Sequence, residues 1–277
     1  MSHSLSFPSP PPVNLLKAAL HRPKIPSPLE IPEIQIEIQE AVLSNDPVYR
    51  QLCGFTTPDV PITAPHMLAG SAHVLLVSHP ALPLPSMGLV HTDNTITAHQ
   101  PLQDGMPVRL VVHTKGHKPN RSGVSFDVHT TAWHDGAVIW EETSTYLSRA
   151  VKGTGGPRPE EPLPLQSLNT STVWSLPENL GRRYGRLSGD MNPIHLTKAT
   201  AKLFGFPRAI IHGMWTLGRA VGQLELVAPM KVRCTFRRPA LLPSAVVFQA
   251  SESGQFAVRS LRSGKLLLNG EALSHQS

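Results

Sequence analysis

Along the chain, short runs of β-branched and apolar residues alternate with turn residues, the signature of strands joined by tight connections. VRLVVHTKG (108–116), GVSFDVHTTAWHDGAVIWEETSTYL (123–147) and GQFAVRSLRSGKLLLNGEAL (254–273) read as strands. HDG and RSG fold the last two back on themselves as hairpins. Two stretches break this rhythm with helix-like apolar spacing, PHMLAGSAHVLLV (65–77) and HGMWTLGRAVGQLEL (212–226). Each is followed by strand-like sequence with a turn near its middle: 94–112 with PLQDGMP, and 230–250 with PALLPS. A hairpin closes each series. The order helix, strands, hairpin therefore occurs twice, on either side of the polar stretch VKGTGGPRPEEPLPL (151–165). The pattern predicts an α+β fold: a long helix wrapped by a curved antiparallel sheet, present in residues 1–150 and again in 166–277, with 151–165 as the linker. Two such sheets can pair edge to edge and cover strands otherwise exposed.

Composition changes this picture little. The 277 residues are 40% hydrophobic and 16% charged, enough for a sizeable core, and 28 prolines and 20 glycines supply the turns. Two cysteines far apart, Cys53 and Cys234, offer neither a disulfide framework nor metal-like spacing. No apolar run is long enough to span a membrane. The formal charge of +6 favours anionic partners. The basic residues are scattered, however, in small groups such as Arg182, Arg183 and Arg186, or Arg233, Arg237 and Arg238, so nucleic acid is not the expected partner. The first 29 residues lack acids and contain Lys17, Arg22 and Lys24, loosely like a transit peptide. The favoured reading is a flexible Pro/Ser start followed by a short docking helix at VNLLKAAL, in a cytoplasmic protein.

One stretch departs from the pattern altogether. YGRLSGDMNPIHLTKATAKLFGFPRAIIHGM (184–214) concentrates polar, protonatable and backbone-permissive residues. Asn192-Pro193 reads as a helix start, with Ile194, Leu203 and Phe204 facing inward and Gly205 as a left-handed stop. Asp190 then lies in the loop before that helix and His195 in its first turn. His212-Gly213-Met214 opens the next helix, whose first N–H groups suit a developing oxyanion. Taken singly, each residue has a plain structural role: Asp190 in a turn, His195 in the core, Asn192 and His212 as caps. Taken together, a carboxylate, an imidazole and a backbone donor make a set for acid–base work on a carbonyl compound. The first half has no equivalent acid-to-histidine pair ahead of its helix, which places the chemistry in the second half.

The joint pattern resembles the signature of the MaoC-like dehydratases, the (R)-specific enoyl-CoA hydratase or hydratase 2 family. The matching positions are Tyr184, Ser188-Gly189-Asp190-Met191-Asn192-Pro193-Ile194-His195, Ala201, Gly205-Phe206 and His212-Gly213-Met214. The resemblance implies a double hotdog in which one half keeps the motif and the other has lost it. It implies a thioester substrate on coenzyme A or acyl carrier protein, a hydro-lyase reaction, no metal and no redox cofactor. Asp190 and His195 would activate the water that adds to C3 of a trans-2-enoyl thioester, or expel it from a (3R)-3-hydroxyacyl thioester. Asn192 would orient the pair and the Gly213 N–H would bind the thioester oxygen. Tyr184, Ser188, Gly189, His212 and Met214 would line the substrate site, and Arg237, with its basic neighbours, would meet phosphates or an acidic carrier. A homodimer is expected, since hotdog proteins commonly associate through their sheets. Two alternatives stand beside this reading. One is a hotdog thioesterase, disfavoured because the long helix has no acid before Glu225. The other is a non-catalytic acyl-thioester-binding subunit, disfavoured because the Asp–His pair is intact.

Overall fold

A computed structural model of the chain describes residues 2–12, 21–153, 155 and 170–274. The docking helix expected at VNLLKAAL, and most of the 151–165 linker, fall outside these residues. The described strands are β1 (His3–Phe7), β2 (Ile34–Val42), β3 (Val90–Ala98), β4 (Pro107–Asn120), β5 (Gly123–His134), β6 (Ala137–Ser148), β7 (Thr170–Leu176), β8 (Met230–Phe236), β9 (Ser244–Ala250), β10 (Gln255–Ser260) and β11 (Leu266–Ser274). The helices are α1 (Pro47–Cys53), α2 (Ala64–Leu68), α3 (Gly70–Val77), α4 (Leu180–Ser188), α5 (Lys198–Lys202) and α6 (Gly213–Leu224), with a 3-10 turn at Pro193–His195.

The strands form one sheet in the order β1-β2-β4-β5-β6-β3-β8-β11-β10-β9-β7. From β2 to β3 and from β7 to β8 the order is the same relative to sequence, so the two halves repeat one topology and meet head on. They meet in the antiparallel β3–β8 ladder, with Asn94 opposite Cys234 and Ile96 opposite Val232. In both halves the helices are inserted between the first strand and the second. The fold is a double hotdog, and its two sheets are fused into one.

Strand alternation decides what faces the helices. Ile34, Ile36 and Ile38 on β2, and Val108, Leu110 and Val112 on β4, are buried at every second position. Burying each such side chain stabilises the fold by roughly 1.5–3 kcal/mol. Helix α6 lies in this core on nearly all sides, with Trp215, Leu217, Ala220 and Val221 buried. It crosses α1 closely: Trp215 Nε1 donates to the Leu52 carbonyl at 3.1 Å. A Cβ on Gly222 would stand 2.7 Å from the Cys53 carbonyl oxygen, so the crossing needs glycine.

Three expectations change. The Pro/Ser start is not loose, because His3–Phe7 pairs in parallel with Ile34–Ile38. The helix of the first half is not one long element but two short ones, α2 and α3, parted at Ala69. The helix expected from Pro193 to Gly205 is a 3-10 turn, a break, and then the five-residue α5. The break comes from Thr197, whose Oγ1 accepts the Thr200 N–H at 3.1 Å and starts a new helix. So short a helix buries one residue, Ala201. Leu203 and Phe204, expected inside, are 81% and 40% exposed. Gly205 does take the left-handed conformation, at φ 83°.

Candidate active site

The site is built where α4 ends and α6 begins. Helix α4 stops at Gly189, in the left-handed region at φ 76°. The chain then turns sharply, with the Asp190 N–H on Ser188 Oγ at 3.3 Å and the Asn192 N–H on Asp190 Oδ1 at 3.1 Å. The second bond aims the Asp190 carboxylate. Asn192 thus orients the acid through its backbone, while its side chain caps the 3-10 turn by accepting the Ile194 N–H at 3.3 Å.

His195 comes out of that turn buried. Its Nδ1 lies 2.8 Å from the Ile210 carbonyl, and a carbonyl only accepts, so Nδ1 carries the hydrogen and Nε2 of the neutral ring is a free base. Asp190 Oδ2 stands 3.8 Å from that Nε2. His212, at the start of α6, stacks on His195 with ring centroids 3.6 Å apart. Its Nε2 donates to the backbone carbonyl of Asp190 at 2.9 Å and lies 3.7 Å from Oδ2. The Asp190 side chain is 52% exposed, against 9% for His195 and 4% for His212. One open carboxylate thus sits over two covered imidazoles.

The protein packed around its base pushes the half-open Asp190 carboxyl up, but His212, His195 and the Asn192 N–H outweigh this and hold it below its ordinary value. Burial pushes His195 down, against the pull of Asp190 and Ile210. Burial and His195 push His212 down further. The resting state is one carboxylate and two neutral imidazoles. Ligand-type atoms of Asp190, His195 and His212 lie within 4.8 Å of one another. His212 spends its Nε2–H on the Asp190 backbone carbonyl at 2.9 Å.

Gly213 begins α6, and the first N–H groups of a helix have no carbonyl ahead of them. A Cβ there would meet the Phe236 ring at 2.9 Å. The other expected contacts lie differently. Tyr184 and Met214 are buried, Tyr184 with its ring 4.9 Å from His212. His212 itself is a positioning group for Asp190. Arg237 follows Phe236 and gives its Nε to Asn269 Oδ1 at 2.8 Å. Arg182 is taken by the Leu196 carbonyl at 2.6 Å and one arm of Arg238 by Leu266, while Arg183 and Arg186 stay exposed on α4.

The stretch ahead of the first half's helix has no such pair, as read from the sequence, but the helix itself forms one with a distant strand. His66 Nδ1 bonds the fully buried Glu142 carboxylate at 2.8 Å. The partners are 76 residues apart and meet only because β6 runs beneath α2, so no local spacing signals them.

Residues 156–266 match the profile of the MaoC like domain. Over 246 residues, 86% of this chain and 88% of the other, the sequence is 30% identical to 3-hydroxyacyl-thioester dehydratase X of Mycobacterium tuberculosis. The chain belongs to the MaoC-like dehydratase family. Among solved MaoC-like relatives, the crystal structure of M. tuberculosis HtdX superposes with a TM-score of 0.75 at 25% identity, over 87% of this chain and 100% of that one. A MaoC-like dehydratase from Phytophthora capsici shares the fold, with a TM-score of 0.69 at 19% identity over 96% of this chain and 100% of that one. A 36-residue segment, 13% of this chain and 12% of the other, is 61% identical to peroxisomal enoyl-CoA hydratase 2 of Arabidopsis thaliana. No helix of this MaoC-like chain, among the described residues, is long and apolar enough to cross a membrane.

Proposed function

We propose that the protein is a hydro-lyase of acyl thioesters. It adds water reversibly across C2=C3 of a trans-2-enoyl thioester to give the (3R)-3-hydroxyacyl thioester. The observation that carries this reading is the pairing of an open carboxylate, Asp190 Oδ2, with a lone-pair nitrogen, His195 Nε2, at 3.8 Å, beside the start of α6. That separation lets one water bond to both groups. In hydration the water oxygen bonds to C3 while the pair takes its proton and delivers one to C2. The thioester oxygen gains enolate charge, which the Gly213 N–H stabilises from the positive end of α6. Dehydration is the same path reversed. Proton transfer and oxyanion stabilisation suffice, and we propose no metal or redox cofactor.

The thioester is carried on coenzyme A or acyl carrier protein. Its phosphates are assigned in this proposal to the exposed Arg183 and Arg186 on α4, with Arg237, the residue after Phe236. A homodimer belongs to the same proposal: β7 ends the sheet with β9 as its one described partner, and Val173 on it is exposed. The absence of any acid along α6 disfavours a thioesterase, and the intact Asp–His pair disfavours a purely binding role.

The test is hydration of crotonyl-CoA and a longer trans-2-enoyl-CoA, followed at the enoyl absorbance band with chiral analysis of the product. Asp190→Asn and His195→Gln are each expected to lower kcat by about 10²–10⁴-fold with the fold retained. An (S) product, or full activity in either variant, overturns the reading.

A further inference from the structure

The N-terminal half builds a second polar cluster against the first. Glu142 on β6 accepts from His66 at 2.8 Å and from Asn94 Nδ2 at 2.6 Å. His73 on α3 lies 2.8 Å from Thr130 Oγ1, with its ring edge-on to His66 at 5.1 Å. His91 stacks on Tyr146 at 4.9 Å and more loosely on His66 at 6.3 Å. A register shift between His91 and Asp93 on β3 turns His91 to the same side as Asn94. Such a device is spent where a side chain must be aimed.

Two contacts place this cluster beside the acid–base pair. Gly70, one turn after His66, sits so close to the end of α4 that a Cβ would be 2.8 Å from the Ser188 carbonyl oxygen. His66 is therefore next to the Ser188–Asp190 turn. On the other side, the His91 ring lies 4.8 Å from Phe236, the ring that rests on Gly213. His66 is thus bracketed by the two parts of the site between which a thioester must lie. Its Nδ1 is spent on Glu142. Its Nε2 has no hydrogen-bond partner among the described residues and is open to solvent, the side chain being 15% exposed.

We propose that His66 is a substrate-contacting residue of this site, an imidazolium braced by Glu142 that donates Nε2–H to the carbonyl oxygen of the acyl thioester. The proposal rests on the hydratase reading above. The charge has a physical source. Burial pushes His66 down, but the Glu142 carboxylate and, more weakly, Asp190 push it above its ordinary value. Glu142 is itself held down at about 2 by His66, His73 and Asn94 despite its burial. The remaining titratable neighbours, His73 on α3, His91 on β3 and Tyr146 on β6, stay neutral, the two histidines pushed down to about 4 and about 3 mainly by burial. His66 is the one cation the cluster holds, and its side chain is partly exposed. A charged donor here would act with the Gly213 N–H on the same oxygen, and its effect would grow as the enolate forms.

The test compares wild type with His66→Gln and with His66→Gln/Glu142→Gln, in which a neutral hydrogen-bonded pair replaces the ionic one. Both variants are expected to hydrate crotonyl-CoA with kcat lowered about 10–100-fold. Both are expected to lose the fall in activity at alkaline pH that His66 deprotonation gives the wild type. In parallel, calorimetry measures crotonyl-CoA binding to the slowed Asp190→Asn variant, with and without His66→Gln. Binding at least fivefold weaker without His66 supports the contact. Variants that melt like the wild type, with kcat within twofold, the same alkaline limb and the same affinity, overturn it. Wild type that binds crotonyl-CoA without hydrating it sinks the hydratase reading alone, and the calorimetric arm still decides His66. No binding by either protein sinks both. Should neither glutamine variant fold, the ¹⁵N shift of His66 Nε2 in Asp190→Asn decides, moving on addition of crotonyl-CoA or staying fixed.

Discussion

At the scale of single residues the site depends on which nitrogen carries a hydrogen. The Ile210 carbonyl fixes His195 as a base at Nε2, and burial keeps the ring neutral at neutral pH. Protonation of His195 removes that base. The acid limb of kcat for crotonyl-CoA hydration is therefore expected at a midpoint below 6.5, with activity falling as pH falls through it; a midpoint above 6.5 would point to another base. Gly213 makes a sharper case. An alanine there drives its Cβ into Phe236 at 2.9 Å, so kcat of Gly213→Ala is expected to fall at least tenfold as the backbone donor shifts. Adding Phe236→Leu should return part of the loss, since the obstacle is a side chain and not backbone.

Asp190, Asn192 and His195 were legible in the sequence because six consecutive residues carry them, and a turn and a 3-10 helix bring such neighbours together without help. His66 and Glu142 were not, because their contact is made by the register of β6 under α2. The inward placement of Leu203 and Phe204 failed for a local reason: Thr197 takes the Thr200 N–H and resets the helix, so apolar spacing counted from Pro193 no longer names a face.

At the scale of elements, the site is the meeting of three helix ends, and small residues set how near they come. Gly70 at the start of α3 lies against the last residue of α4. Gly70→Ala is expected to cost roughly 1–3 kcal/mol of stability and to lower kcat, because the obstacle is the backbone that holds Ser188 and Asp190. Thermal unfolding beside hydration kinetics would show both; normal stability with normal kcat would mean that α3 and the Asp190 turn move independently. The strands that follow the helices in each half, and α6, were readable from hydrophobic periodicity; β1, β2 and β7, which precede the helices, were not. The division of the first helix at Ala69 was not, since its apolar run continues across the break.

At the scale of the whole molecule, titration and folding are coupled. His73, His91, His195 and His212 are all held below 6.5, mainly by burial. The unfolded chain binds protons there that the folded one refuses, so the stability tied to their neutrality is present above 6.5 and lost as pH falls below it. Glu142 adds a loss that begins below 4.5 and runs to about 2. His66 has the opposite sign: its contribution is complete below 6.5 and fades as pH rises through its raised value. The thermal midpoint is expected to fall steadily from pH 6.5 to pH 4, and a flat profile over that range would contradict the neutral, buried state of these histidines. Edge-to-edge pairing of the two sheets was anticipated from the need to hide strand edges. The register that seats Asn94 against Cys234 was not, because many registers satisfy that need.

The β3–β8 ladder also sets a timescale. Each of these strands has a partner on both sides, β6 beyond β3 and β11 beyond β8, so the inward amides of the seam are released only when the sheet as a whole opens. In deuterated water the amides around Ile96 and Val232 should be the last to exchange, and those of β1 and β7 the first. Phe236 and His91 lie on the two seam strands just beyond the Asp93–Thr235 pair, which ties the relative position of the two polar clusters to the slowest-opening part of the chain. The catalytic geometry would then persist through the faster fraying of the outer strands, and be lost only with the fold.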